Sequence, residues 1–356
     1  VLAGPAVLAA TADLAGAVTR PTDAVRAAVR RSLASVAGPR DGRLPLALVA
    51  CSGGADSLAL AAGAAQASRQ AGWAVGAVVV DHGLQAGSDH AAEQAGEQCR
   101  GLGLDPVLVR TVTVPDSDLG PEAAARQARY ESLAETARQT GASAVLLGHT
   151  LDDQAETVLL GLARGSGSRS LAGMAPARAL ADGSTAVLLR PLLGLTRSTT
   201  EQACQDWRLA PWQDPHNSDR SYTRVRVRRD VLPALTAALG PGVAAALART
   251  ADLLREDEQA LSAIAAETAD RLRQESGPAG TLPCALLAPH PPAIRRRVLR
   301  DWVIRAGVPA AALTAGHLRA IDALVSRNRP SAAVRLPGGV EAVVRYGRLE
   351  LARRQE

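Results

Sequence analysis

The sequence predicts an α/β protein, a doubly wound parallel sheet followed by a smaller, mainly helical domain that ends in a short β-meander. Three observations carry that expectation. Apolar strand-like runs alternate with helix-like stretches between Leu46 and Leu147. A glycine turn, Ser52-Gly53-Gly54-Ala55-Asp56-Ser57, joins the first run to the helix after it. From Val243 onward the apolar period is that of long helices, and the last residues alternate as strands do.

Each element has a local reason. Residues 22–37 offer a Thr or Asp cap and apolar positions at Val25, Val29, Leu33 and Val36, so a helix precedes the first strand. Residues 46–50 are apolar and bounded by Pro45, and residues 58–71 are Ala-rich with high helix propensity. A strand over 73–80 ends in Asp81-His82-Gly83. A helix over 88–102, a strand over 107–112, a helix over 121–140 and a strand over 144–147 follow. Residues 188–193 end a β-like run in an Arg190-Pro191 corner, and Gly240-Pro241 marks a domain boundary. Beyond it, helices are expected over 243–273, 292–306 and 314–327, and strands over 332–336, 340–345 and 349–352. The domain reading is therefore 1–43, an extension and helix; 44–235, the sheet domain; and 241–356, the helical domain.

Composition narrows the class. A chain of 356 residues, 47% hydrophobic, suits two or three globular domains at about 150 residues each. Every cation is arginine, and the net charge of +5 favours an anionic partner. Four cysteines, at 51, 99, 204 and 284, are too dispersed for a C-x-x-C pair and read as reduced core residues of a cytoplasmic protein. Residues 1–17 are apolar but carry Asp13, lack a basic start and are too short to span a bilayer. They read as an extension or leader, with a signal peptide as the alternative.

The glycine turn has the chemistry of a phosphate site. Gly53 and Gly54 let the backbone approach a ligand closely, and the following helix offers unpaired N–H groups and a positive dipole end. With no lysine in the chain, the nucleotide-hydrolase loop G-x-x-x-x-G-K-[ST] is excluded. Ser52 and Ser57 can donate hydroxyls instead, and Asp56 suits phosphate if Mg²⁺ lies between. An ordinary glycine turn with a Ser or Asp cap is the alternative. In an open parallel sheet ligands bind beyond the carboxyl ends of the strands, where Ser52, Asp81 and His149 fall.

After the strand at 144–147, His149, Asp153 and Glu156 share one face if the segment is helical, with Asp152 beside them. Such a cluster can bind Mg²⁺, orient an amine or remove a proton. The bland alternative is acids complementing a helix dipole. Arg164, Arg190 and the run Arg220, Arg224, Arg226, Arg228 and Arg229 with Tyr222 can hold a phosphate backbone, or cap carbonyls and face solvent. The same choice applies to the basic helix with Arg295, Arg296, Arg297, Arg300 and Arg305.

SGGADS, VDHGL, EAAARQARY, LLGHTLDDQAET, RGSG, RPLL and WQDPHNSDRSYTRVRVRRDVLPAL stand in the order found in tRNA(Ile)-lysidine synthetases. The chain resembles that family over residues 44–235, and the segment LPGGVEAVVRYG is similar to the family's following domain. SGGADS alone marks only the superfamily, the N-type ATP pyrophosphatases with a PP-loop. One departure is Val225 after Arg224, where the family often has Asn.

The resemblance implies an adenine nucleotide alpha hydrolase-like fold over 44–235 and a tRNA-binding domain over 241–356. It implies that ATP, with Mg²⁺ on Asp56, adenylates the C2 oxygen of the wobble cytidine in a CAU-anticodon isoleucine tRNA. The ε-amine of free L-lysine then displaces AMP. Ser52, Gly53, Gly54, Ala55, Asp56 and Ser57 would hold the triphosphate, with Val80 and His82 bordering the adenosine. Asp56, His149, Asp153 and Glu156 are the catalytic candidates, the last three as possible proton acceptors. Arg126, Tyr130, Arg164, Arg190, Arg224 and Arg228 are the tRNA candidates. No membrane partner is implied, and oligomeric state stays open, a homodimer included. Two alternatives remain at this point: another PP-loop enzyme such as a tRNA thiolase, and a non-catalytic tRNA-binding protein.

Overall fold

The computed structural model describes residues 19–36, 43–83, 87–114, 121–165, 167–274, 280–310, 312–327 and 333–353. The expected extension over residues 1–17 lies outside them. In chain order the elements are α1 (Pro21–Ala34), β1 (Leu46–Ala50), α2 (Ala55–Ala71), β2 (Ala74–Asp81), α3 (Ser88–Gly101), β3 (Val107–Thr111), α4 (Pro121–Thr140), β4 (Ala144–Leu147) and α5 (Leu151–Ala163). There follow α6 (Ser168–Leu171), β5 (Ala177–Ala179), β6 (Val187–Leu189), α7 (Arg197–Asp206), a 3-10 turn (Pro215–Ser218), α8 (Thr223–Arg226), a π-helical turn (Val227–Val231) and α9 (Leu232–Leu239). The rest comprises α10 (Val243–Gln274), β7 (Leu282–Pro283), α11 (Cys284–Leu287), α12 (Pro292–Arg305), α13 (Ala315–Arg327), β8 (Ala333–Leu336), β9 (Val340–Arg345) and β10 (Arg348–Arg353).

The chain forms two compact units, residues 1–156 with 174–245, and 157–173 with 246–356. In the first, the sheet order is β3-β2-β1-β4-β6-β5. All pairings are parallel except β5 with β6. Ala47, Leu48 and Val49 of β1 are fully buried, as expected for a central strand covered on both faces. Val25, Val29 and Leu33 of α1 join Leu58 and Leu60 of α2 in one core layer. Leu133 and Ala137 of α4 fill the other, against Leu48 and Val145. The chain runs outward from β1 to β3 and returns to place β4 on the other side of β1, so the order reverses between β1 and β4. That reversal opens a crevice at the carboxyl ends of these two strands.

Three differences from the sequence reading have local causes. Helix α2 begins at Ala55 instead of residue 58, because Gly54 in an extended conformation serves as N-cap. Strand β6 stops at Leu189, since Pro191 has no N–H to continue the ladder. The arginine-rich run is helical instead of an extended basic segment, with the π-helical turn ending at Val231, two residues before Pro233, whose missing N–H breaks the i→i−4 bond series.

In the second unit, β7, β10, β9 and β8 form an antiparallel sheet. Leu299, Ile321 and Leu349 are fully buried in its core. On α12, Arg295 and Arg296 turn to Asp322 of α13, and Arg297 to Glu258 of α10. Much of the basic helix is therefore spent on acids of its own unit. The four cysteines are buried free thiols. No single described helix is long and apolar enough to cross a membrane.

Candidate functional site

The glycine turn sits at the reversal point. Gly53 has φ +80, and a Cβ there would lie 3.3 Å from the Cβ of Ala95 on α3. A side chain is thus disfavoured by conformation and by space together. The Gly53 carbonyl accepts the Trp212 N–H at 2.9 Å. Ser57 donates its hydroxyl to the Gly54 carbonyl at 2.9 Å and accepts the Ser52 N–H at 3.1 Å, with the Ser52 hydroxyl 3.3 Å away. Ser57 therefore braces the turn, and Ser52 is the more exposed hydroxyl. Gly148 lets the end of β4 press on α2, since a Cβ there would come within 2.9 Å of the Asp56 carbonyl oxygen.

No side chain caps α2. Its first-turn residues line a cavity of about 1050 Å³ together with Val80, His82 and His149. Unsatisfied first-turn amides at a positive dipole end form an anion site, and the cavity is large enough for a nucleotide. His82 carries a buried Nδ1 with no partner, and burial lowers its pKa.

Beside the turn lies a network of acids and arginines. Thr150 and Asp153 form a reciprocal cap: Asp153 accepts the Thr150 N–H at 2.8 Å, and Thr150 Oγ1 accepts the Asp153 N–H at 3.4 Å. His149 thus precedes the helix and does not share its face. Glu156 is fully buried, with Arg224 Nε at 2.8 Å, Arg228 Nε at 2.7 Å and Arg197 Nη1 at 3.5 Å. Asp153 meets Arg197 at 2.9 Å and Arg228 at 3.3 Å. Asp56 accepts from the Thr200 hydroxyl and from Arg197 Nε at 3.3 Å. Asp152 accepts the Arg197 N–H at 2.7 Å. The first turn of α7 is thereby tied to the first turns of both α2 and α5.

Electrostatics follow burial. Burial raises the Asp56 pKa, although Thr200 and Arg197 oppose it. For Asp153 burial pushes upward, but Arg197 and Arg224 win and the pKa is lowered. Burial drives His149 down to about 3, against the pull of Asp153. His149 is accordingly a neutral imidazole at pH 7, with a buried Nδ1 lacking a partner.

A second group forms around Tyr130. Arg126 and Arg190 join it, with Arg129 and Arg178, which the sequence did not single out. The sequence-predicted residues thus fall in two groups, apart from Arg164, which is exposed in the turn after α5. Arg224 and Arg228 lie on carboxylates rather than on an open face. Arg226 and Arg229 satisfy Arg220 and Ser218 of their own loop. Arg197, Thr200 and Trp212 were also missed. The local signal was the Thr196 cap that starts α7, accepting the Thr199 N–H.

No set of three or more His, Cys, Asp or Glu among the described residues is arranged to hold a metal. Asp56 supplies one carboxylate whose oxygens keep free lone pairs beside Thr200 and Arg197. That donor set fits Mg²⁺ arriving on a triphosphate, because the ion takes one or two carboxylates plus substrate phosphates and water.

Comparison with known proteins agrees with the fold. A PP-loop domain family matches residues 26–235, and the TilS substrate binding domain family matches residues 282–350. A tRNA(Ile)-lysidine synthase of Streptomyces coelicolor is 52% identical over 305 residues, covering 86% of this chain and 84% of that protein. One of Salinispora tropica is 49% identical over 333 residues, covering 94% and 97%. Among solved structures, the U34-tRNA thiolase NcsA of Methanococcus maripaludis superposes with a TM-score of 0.52 at 18% identity. It covers 65% of this chain and 78% of that one, and it speaks to the fold alone.

Proposed function

The chain belongs to the tRNA(Ile)-lysidine synthase family, and from that premise we propose that it joins free lysine to C2 of the wobble cytidine in a CAU-anticodon isoleucine tRNA at the expense of ATP. The observation that carries this reading is the uncapped first turn of α2, opening on a nucleotide-sized cavity beside the Asp153–Glu156 cluster. Amides aimed there stabilise negative charge as it grows on the departing pyrophosphate. Asp56 would hold a Mg²⁺ ion arriving with the triphosphate, which would supply further charge neutralisation.

The cytidine C2 oxygen attacks the α-phosphorus, the bond to pyrophosphate breaks, and AMP remains on the base. The lysine ε-amine then attacks C2 and the C2–O bond breaks, releasing AMP. An ammonium cannot attack, so a proton must first leave. His149, near 3, is a weak base and is left to orient a donor. Asp153, held below the usual carboxylate range by Arg197 and Arg224, is no stronger a base. It lines the nucleotide-sized cavity and Glu156 does not, so Asp153 is assigned the holding of the lysine ammonium while the ammonium's proton passes to water, and Glu156 the anchoring of Arg224 and Arg228. Val80 and His82 border the adenosine. The four cysteines are free thiols with no C-x-x-C spacing, and no set of three His, Cys, Asp or Glu among the described residues is arranged to hold a metal or cluster, which favours lysine over sulfur as the nucleophile. A reaction on free lysine and tRNA fits a cytoplasmic enzyme.

Incubation with ATP, Mg²⁺, radiolabelled lysine and unmodified isoleucine tRNA tests the proposal. Label should pass to the RNA with release of AMP and pyrophosphate. RNA that stays unlabelled while the enzyme consumes ATP, or that gains sulfur from a sulfur donor, would overturn it.

A further inference from the structure

The clustered arginines of this chain fall into groups that differ in one respect. Arg197, Arg224 and Arg228 sit on Asp153 and Glu156, and Arg295 and Arg296 on Asp322. The group around Tyr130 has no acid. The guanidinium carbons of Arg126, Arg178 and Arg129 lie 5.1, 5.2 and 5.8 Å from the ring centroid. Arg126 Nη2 is also 3.4 Å from the phenol oxygen. Arg190, 4% exposed, donates Nη1 to the Ala175 carbonyl at 2.6 Å. The buried Nε atoms of Arg129 and Arg190 have no hydrogen-bond partner. Among the described residues no carboxylate pairs with any of the four.

Four like charges gathered round one ring oppose each other, and a buried donor without an acceptor costs more than one in water. The π face answers part of the charge. The remainder calls for an anion with several acceptor oxygens, which forked guanidiniums bind well. Burial, together with neighbouring arginines, lowers the pKa of both Arg129 and Arg190, as expected where the counter-charge is missing.

We propose that Arg126, Arg129, Tyr130, Arg178 and Arg190 form a subsite for a backbone phosphodiester of the RNA substrate, separate from the triphosphate site. This deepens the functional reading above and rests on it. Position favours RNA over nucleotide. Arg129 lines the cavity with His82 and His149, so an anion in this group lies at the His149 side. The triphosphate has its own amides on α2. Arg126 and Arg178 are exposed and form a rim above buried Arg190. A chain of phosphates entering from outside meets such a rim, whereas a small enclosed anion has no use for it.

The double variant Arg126→Gln, Arg178→Gln tests this, since both residues are exposed and neither is tied to an acid. Its affinity for unmodified isoleucine tRNA should fall about tenfold or more per arginine at low salt. The slope of log affinity against log salt should shrink by about one per arginine. The KM for ATP should not change. Tyr130→Leu, which removes the ring under three guanidiniums, should weaken tRNA in the same way, with a thermal melt confirming that it folds.

Unchanged tRNA affinity and salt slope in the double variant would overturn the subsite. So would a raised ATP KM with tRNA binding intact, because the anion would then be the nucleotide's. Wild-type enzyme in the lysine-transfer assay separates the two levels. If it labels RNA while the variant binds like wild type, only the subsite fails; if it binds no tRNA, the parent reading fails with it.

Discussion

Glu156→Ala probes how firmly the site is built. The residue is fully buried and accepts three guanidinium bonds, at 2.8 Å from Arg224 and at 2.7 and 3.2 Å from Arg228, with a third arginine, Arg197, 3.5 Å away. Its removal leaves three cations facing Asp153 and a void where the carboxylate stood. Breaking a buried pair from one side costs about 3–5 kcal/mol. Here the arginine side chains remain 20, 28 and 30% exposed, so part of their charge reaches water. The low end, about 3 kcal/mol, is therefore expected for Ala, and about 2 kcal/mol for Gln, which keeps the shape and one acceptor. Urea unfolding followed by tryptophan fluorescence reads it, because Trp73, Trp207 and Trp212 lie in the first unit. The midpoint should fall without a change in slope. A loss for Ala below about 1 kcal/mol, the scale of a surface pair, would refute the idea that this cluster is a desolvated framework.

Three further outcomes are expected. Asp56→Asn should retain folding and tRNA affinity yet lose lysine incorporation by at least about a hundredfold, and incorporation at the wild-type rate would contradict its role. Thr200→Val, which removes the hydroxyl on Asp56, should lower kcat more than it alters the KM for tRNA; equal effects on both would show a general loss of structure instead. His149 is held near 3 in the folded chain but titrates near 6.5 unfolded, so between those values only the unfolded chain takes the proton. Stability should then drop as pH falls from 6.5 toward 3 by up to about 1.4 kcal/mol per pH unit. His149→Gln should remove that part of the slope, and an identical pH profile for the variant would contradict the burial argument.

What the sequence made legible was whatever short-range pattern encodes. β1, β2 and β4 are buried on both faces, so they appear as unbroken apolar runs, and the turn between β1 and α2 declares itself through its glycines. β5 is Ala-Arg-Ala with every residue exposed, and such a strand leaves no periodic trace. β7 is two residues long and leaves none either. Thr150-x-x-Asp153 reads equally as a capping signature and as acids of a site, and the spacing alone does not show that Asp153 caps the helix through the Thr150 N–H. Arg197 and Thr200 reach Asp56 from 141 and 144 residues away. Nothing near them in sequence marks that contact, because the sheet's crossovers create it. The arginine run shows the same limit: its composition suggested an open basic face, but helical spacing turns Arg224 and Arg228 together onto Glu156.

Isotope transfer offers the most direct test of the central claim, that the α2 amides hold a triphosphate with its innermost phosphorus facing an RNA carbonyl. Isoleucine tRNA bearing a heavy-oxygen label at C2 of the wobble cytidine would be converted with ATP and lysine, and the products weighed by mass spectrometry. The label should appear in the phosphate of AMP, one atom for each lysine joined. Label found in pyrophosphate or water, or kept in the lysine-bearing RNA, would contradict attack on that phosphorus.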